Sequence, residues 1–372
     1  RHQEVALLCF SRVAEHSTPA CSVFVGGLRM LRQVSRLALM AWGVKNVAMR
    51  IGPSRTMPVA SWRAMSPVAT SGPTAALSPP AALGMGGQCG SDRLREAGLE
   101  VELVSCLDDN YCPIIHHAGS GATMIVDTPE AGPILAALNA RGWVPTHILN
   151  THHHGDHVDG NSEIKRAFPS LSIVGPREHT FDYPGPYPKA GRHVEKIPGL
   201  DVEVSEGDEV QCGALKAQVL EVGGHTRGHV AYFFPSVPLV LSGDALFTLG
   251  CGRVFTGDFS RMKSSLEKLR ALPDETIVFS AHEYTASNAK FAMQVESGNE
   301  ALVERNLQVQ TLREAGLPTV PTLLSHEKAT NPFLRWDAPA VQAAVGATDP
   351  LAVFTAVRKW KDTGKKPGVA KL

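Results

Sequence analysis

Residues 151 to 157 read Thr151-His152-His153-His154-Gly155-Asp156-His157, which places four imidazoles and a carboxylate within seven positions. The spacing is not the i, i+4 pattern of a helical zinc pair. In a turn that follows a strand, His152 and His154 point one way while Asp156 and His157 address a neighbouring position. Such an arrangement suits two adjacent metal ions better than one. Imidazole and carboxylate donors without thiolate select zinc, iron or manganese, with zinc preferred, over copper(I) or an iron-sulfur cluster. An isolated run of histidines can also be a solvated loop. Three downstream motifs argue against that: Gly223-Gly224-His225-Thr226-Arg227-Gly228-His229, Leu241-Ser242-Gly243-Asp244 and Ser280-Ala281-His282-Glu283. Each sets a metal-binding side chain just after an apolar run, as loops gathered on one rim would.

These donors need strands to deliver them. Leu99 to Leu103 alternates apolar and polar residues, and Ala122 to Val126 runs into Asp127 and Thr128-Pro129. His147 to Asn150 is a short apolar strand leading into the histidine cluster. Leu171 to Val174, Leu215 to Glu221, Val230 to Phe234 and Leu239 to Leu241 are further strand candidates. Ala131 to Arg141 is a helix stopped by Gly142. Beyond Ser260 the spacing turns helical, at Met262 to Ala271, Ala286 to Val295, Leu302 to Ala315 and Thr348 to Lys361. A strand-containing half followed by a helical one, with a boundary near His282 to Tyr284, is the expected organisation.

The series THHHGDH, GGHTRGH, SGDALF and AHEYT resembles the metallo-β-lactamase superfamily, and most closely the glyoxalase II (hydroxyacylglutathione hydrolase) family. The similarity runs from about Leu99 to the C-terminus. It includes Leu107-Asp108-Asp109-Asn110-Tyr111, Gly250-Cys251-Gly252-Arg253, Asn331-Pro332-Phe333-Leu334-Arg335 and Thr348-Asp349-Pro350. The resemblance implies an α+β fold, an αββα sandwich over residues 99–282 followed by a helical glutathione-binding domain over 283–372. It assigns His152, His154 and His225 to one divalent metal ion, Asp156, His157 and His282 to a second, and Asp244 with a solvent-derived hydroxide to the bridge between them. Asp156 is also the candidate to orient or deprotonate the attacking water. Asp127 resembles an acid that orients a ligand imidazole, while the local sequence allows equally a turn-forming Asp.

The implied reaction is hydrolysis of S-(2-hydroxyacyl)glutathione, S-D-lactoylglutathione foremost, as in methylglyoxal detoxification. Positions matching the family's glutathione contacts are Arg253, Tyr284, Arg358 and Lys361. Cations there suit a tripeptide with two carboxylates, although Lys359, Lys365, Lys366 and Lys371 would also fit a solvated basic tail. Phe255 stands where a tyrosine hydroxyl often holds glutathione, and Thr256-Gly257-Asp258-Phe259 departs from the usual pattern. His153 is expected to point away from the donors, and His229 to be either an orienting or a buried structural histidine. Two other readings stay open: a persulfide dioxygenase with one iron, which generally lacks the NPFLR extension, and a catalytically silent metal-binding interaction protein.

The chain has 372 residues, with 36 Lys+Arg against 36 Asp+Glu. Balanced charge argues against a nucleic-acid partner, and no apolar run reaches the roughly 18 residues of a membrane span. A small-molecule partner and a monomer are expected. Seven cysteines without a CxxC pair argue against a disulfide framework. Residues 1–98 differ in texture, being rich in Arg, Ala, Ser and Pro and poor in acids, which is the composition of a mitochondrial or plastid transit peptide. The protein would be cytoplasmic if that leader does not function.

Overall fold

The computed structural model describes residues 87–178 and 196–367. The expectations for residues 1–86, and for His179 and His193, lie outside them. The described chain opens with a helix that the sequence reading did not anticipate, α1 (Gly87–Glu96), ahead of strand β1 (Leu99–Cys106). The expected leader limit at residue 98 is corrected accordingly. Leu94 is 1 % exposed in the core and Arg93 Nη1 donates to the Glu275 carbonyl, so these residues belong to the folded body.

β1, β2 (Asn110–His117) and β3 (Ala122–Val126) pair antiparallel. Helix α2 (Ala131–Arg141) then returns the chain to β4 (His147–Leu149), which runs parallel to β3. Two short helices follow, α3 (Gly155–Val158) and α4 (Asn161–Ala167), and then β5 (Ser172–Pro176) and β6 (Val202–Val204) complete a six-stranded sheet in sequence order. The second sheet begins with antiparallel β7 (Glu209–Cys212), β8 (Leu215–Glu221), β9 (Val230–Phe234) and β10 (Leu239–Gly243). A small hairpin, β11 (Leu246–Phe247) and β12 (Gly250–Cys251), follows the end of the interior strand β10. Helix α5 (Phe259–Arg270) precedes β13 (Ile277–Ser280), parallel to β10. Helices α6 (Thr285–Val295) and α7 (Glu300–Glu314) come next, and β14 (Thr322–Leu323) closes the sheet. The chain ends in α8 (Leu324–Thr330), α9 (Pro339–Val345) and α10 (Pro350–Thr363).

Side chains alternate across a strand, and here both faces are buried. In β3, Met124 and Val126 face the space between the sheets while Ile125 packs outward with Ile134 and Leu138 of α2. In β9, Tyr232 and Phe234 point inward, and Ala231 and Phe233 pack outward with Met262 and Leu266 of α5. The layers are therefore helix, sheet, sheet, helix. Phe333, Phe354 and Trp360 from the C-terminal helices join the same outer cluster as Val240 and Val278. The join expected at His282 separates two stretches of chain that share this core, so it is not a boundary between independent cores. Among the described residues no single helix is long and apolar enough to cross a membrane.

Candidate active site

Every predicted donor leaves the same end of the sandwich. β4 delivers His152 and His154, α3 carries Asp156 and His157, and the loops after β8, β10 and β13 carry His225, Asp244 and His282. Two glycines make this possible. Gly243, before Asp244, has φ +49, and a Cβ there would lie 2.4 Å from Thr151 Oγ1. Gly224, before His225, has φ +132, and a Cβ would lie 2.5 Å from that of Met262. Neither conformation suits a residue with a side chain.

The donor atoms form three overlapping groups: His152, His154 and His225; His152, His157 and Asp244; and Asp156, His157 and His282. Asp244 divides its oxygens between the two sides, with Oδ2 3.4 Å from His225 Nε2 and Oδ1 3.6 Å from His157 Nε2 and 3.4 Å from His282 Nε2. Asp156 Oδ2 lies 3.6 Å from His157 Nε2 and 3.5 Å from His282 Nε2. Ligands held about 2.0–2.1 Å from one tetrahedral cation are separated by about 3.3–3.4 Å, so these spacings fit a shared cation. His157 Nε2 and Asp244 Oδ1 are buried without a hydrogen-bond partner, a costly state that a cation would relieve.

The electrostatics agree. Burial, with help from neighbouring imidazoles, holds His152 and His225 well below 6.5, keeping their nitrogen lone pairs available at neutral pH. Burial pulls His157 down as well, but Asp156, Asp244 and Asp127 outweigh it and carry it up to about 10. Burial raises Asp244 above the ordinary carboxylate range. In Asp156 burial is outweighed by His157, His282 and a hydrogen bond from Asn110, so its carboxyl is lowered and ionised. The site thus sets two neutral imidazoles, His152 and His225, beside imidazoles whose affinity for positive charge is raised by the surrounding carboxylates, and the donor set fits divalent cations.

Three hydrogen bonds fix the rings from behind. Asp127, at the end of β3, accepts from His157 Nδ1 at 2.8 Å and from Thr151 N and Oγ1 at 2.8 and 2.9 Å. The Arg253 carbonyl accepts from His225 Nδ1 at 2.9 Å. Asp109 Oδ1 accepts from His282 Nδ1 at 2.8 Å. Asp109 and Asn110 lie in the LDDNY run, where nothing in the local sequence signals these contacts. His229 is buried, accepts from the Asp244 backbone N–H at 3.1 Å and stacks on His152. His153 is buried but belongs to none of the donor groups.

A cavity of about 590 Å³ opens over the donors, lined by Leu107 to Asn110, Phe247, Arg253, Phe255, Tyr284, Arg358 and Lys361 among others. The Tyr284 ring stacks on His282 with centroids 4.7 Å apart. Phe255 packs against His225 and lies under the Arg253 guanidinium, so its apolar ring supports a cation where a hydroxyl was expected. Asp258 of the divergent TGDF run caps α5 by accepting from Arg261 N. Lys361 Nζ donates to Asn288 Oδ1 at 2.6 Å, and burial followed by repulsion from Arg358 lowers its pKa to about 8. Arg358 is 3 % exposed, and its Nη1 and Nη2 are committed to the Cys251 carbonyl and Asp362. It lends the cavity charge rather than an open donor fork.

With this geometry in place, comparison with known proteins defines the class. Residues 114–282 match the model of the metallo-beta-lactamase superfamily. Residues 283–364 match the model described as hydroxyacylglutathione hydrolase C-terminus. The hydroxyacylglutathione hydrolase of Methylococcus capsulatus is 48 % identical over 266 residues, covering 71 % of this chain and 98 % of that protein. The one from Rhodopseudomonas palustris is 49 % identical over 265 residues with the same coverage. Among solved structures, the BLEG-1 B3 metallo-beta-lactamase is similar at 20 % identity and a TM-score of 0.48, covering 63 % of this chain and 99 % of that one. The chain belongs to the hydroxyacylglutathione hydrolase family.

Proposed function

We propose that the chain is a thioesterase that hydrolyses S-(2-hydroxyacyl)glutathione, S-D-lactoylglutathione foremost, to the 2-hydroxy acid and glutathione. This rests on Asp244, which sets Oδ2 beside His225 and Oδ1 beside His157 and His282 on the floor of a cavity whose wall bears Arg253, Arg358 and Lys361. The family membership supports the same substrate class.

His152, His154 and His225 would hold one divalent cation and Asp156, His157 and His282 the other, with Asp244 placed between the two groups. Zinc is the preferred metal, with iron and manganese compatible with the same donors. When bound, such a pair lowers the pKa of a water molecule and polarises the thioester carbonyl. The protein's own side chains do the rest. Asp156, ionised and steadied by Asn110 Nδ2 at 3.3 Å, orients the attacking water and accepts its proton. Arg253 and Lys361 bind the glutathione carboxylates, and the Tyr284 ring bounds the thioester. The departing thiolate has a conjugate acid near 8.5, so it leaves without a dedicated acid. Asp127 and Asp109 hold two imidazoles in the tautomer that offers Nε2 to a metal.

The partner in this reading is the small-molecule thioester, taken up by a monomer, and the balanced charge of the chain argues against a nucleic-acid partner. The persulfide dioxygenase reading is tested against this one by following thioester loss and oxygen uptake on glutathione persulfide in one metal-analysed preparation. Thioester loss without oxygen uptake is expected. Oxygen uptake without thioester loss would overturn the proposal.

A further inference from the structure

Across the donor floor the cavity has walls of opposite charge. Beyond His225 stand Arg253, Arg358 and Lys361, with Asp362 the carboxylate among them. Beyond His282 and Asp156 stands the 107–110 turn, with Asp109 bonded to His282 and Asn110 Nδ2 to Asp156. Asp109 is thus engaged. Asp108 is exposed, lines the same cavity, and has no hydrogen-bond or ion-pair partner among the described residues. The backbone presenting it is tied at both ends: Leu107, at φ +49, donates its N–H to Glu130 Oε1 at 3.0 Å, and the Asp109 carbonyl accepts from Glu283 N at 2.9 Å. Left-handed backbone at a bulky residue persists only where its surroundings impose it. Leu107 itself is 53 % exposed beside the same opening.

The next step rests on the thioesterase reading. With the glutathione carboxylates on the cationic wall and the reacting carbonyl over the donor floor, the acyl group extends toward the 107–110 turn. We propose that Asp108 is a specificity-determining residue that admits neutral 2-hydroxyacyl groups and turns away acyl groups ending in a carboxylate. Leu107 offers apolar contact to a short carbon chain, while Asp108 sets an unpaired negative charge where a second carboxylate would arrive. Two like charges about 4 Å apart in water change an affinity roughly fivefold. At such exposed positions salt screens the interaction, with a range of about 8–10 Å at physiological ionic strength.

The test measures kcat/KM of the metal-loaded enzyme for S-D-lactoylglutathione and S-succinylglutathione, in the native protein and in Asp108→Asn and Asp108→Lys. The native enzyme is expected to prefer the lactoyl substrate. Asp108→Asn should raise the succinyl-to-lactoyl ratio about fivefold, Asp108→Lys should raise it by a similar factor again, and added salt should compress the differences. A ratio unchanged in both variants would overturn the proposal. Failure of the native enzyme to turn over S-D-lactoylglutathione would instead overturn the thioesterase reading, and this inference with it.

Discussion

Replacing Asp127 by Asn isolates one charge behind the donor cluster. The backbone there is left-handed, at φ +54, a conformation that Asn adopts as readily as Asp. The carboxylate accepts three hydrogen bonds, two from Thr151 and one from His157 Nδ1, and it is 1 % exposed. An amide keeps one acceptor and introduces two donors, so one orientation confronts His157 N–H with N–H. His157 escapes by moving its proton to Nε2, which removes the lone pair from the atom facing Asp156 and Asp244. A charged hydrogen bond of this kind contributes about 1.5–3 kcal/mol, and loss of such a partner costs about 10- to 100-fold in metal affinity or activity. The assay is metal content after dialysis together with kcat/KM on S-D-lactoylglutathione. One metal equivalent should weaken by that factor, with the His152, His154 and His225 group retaining its own. Both equivalents retained with activity within about twofold of native would refute the tautomer argument.

Lys361 is protonated below its pKa of about 8 and neutral above it. KM for the anionic thioester should therefore rise as pH passes upward through that value, and Lys361→Met should raise KM at neutral pH and abolish the rise; a pH profile identical to native would refute this role. Asn331 Nδ2 donates to the Phe247 and Gly250 carbonyls, tying the β11–β12 hairpin to the C-terminal helices. Asn331→Ala should strip buried acceptors and lower stability in urea unfolding by about 2–4 kcal/mol, whereas a loss below about 0.5 kcal/mol would show the hairpin to be held otherwise. A fluorescent protein fused behind residues 1–86 should collect in mitochondria or plastids if the transit-peptide expectation holds, and diffuse cytosolic signal would refute it.

The donor set was legible because its members are either close in sequence or placed directly after apolar strands. His152, His154, Asp156 and His157 lie within one turn and a short helix, so local spacing carried most of that geometry. Asp109 was not legible in the same way, since its role depends on β2 meeting the end of β13, where Asn110 bridges to His282 across 172 positions. β2 itself was missed as a strand. Its NYCPII run contains Pro113 opposite Leu103 in an interior strand, a place that proline usually avoids. Helix α1, rich in Gly and polar residues, is weak in propensity and is anchored by the burial of Leu94. The shared outer core of Phe233, Phe333 and Phe354 likewise arises from long-range packing that periodicity within each segment does not report.

In the proposed reaction water adds to the thioester carbonyl over the donor cluster. Turnover of S-D-lactoylglutathione by the metal-replete protein in oxygen-18 water measures it directly. Lactate and glutathione should be released in equal amounts, with one labelled oxygen in the lactate carboxylate. Absence of turnover with both metals bound, or lactate formed without label, would contradict it.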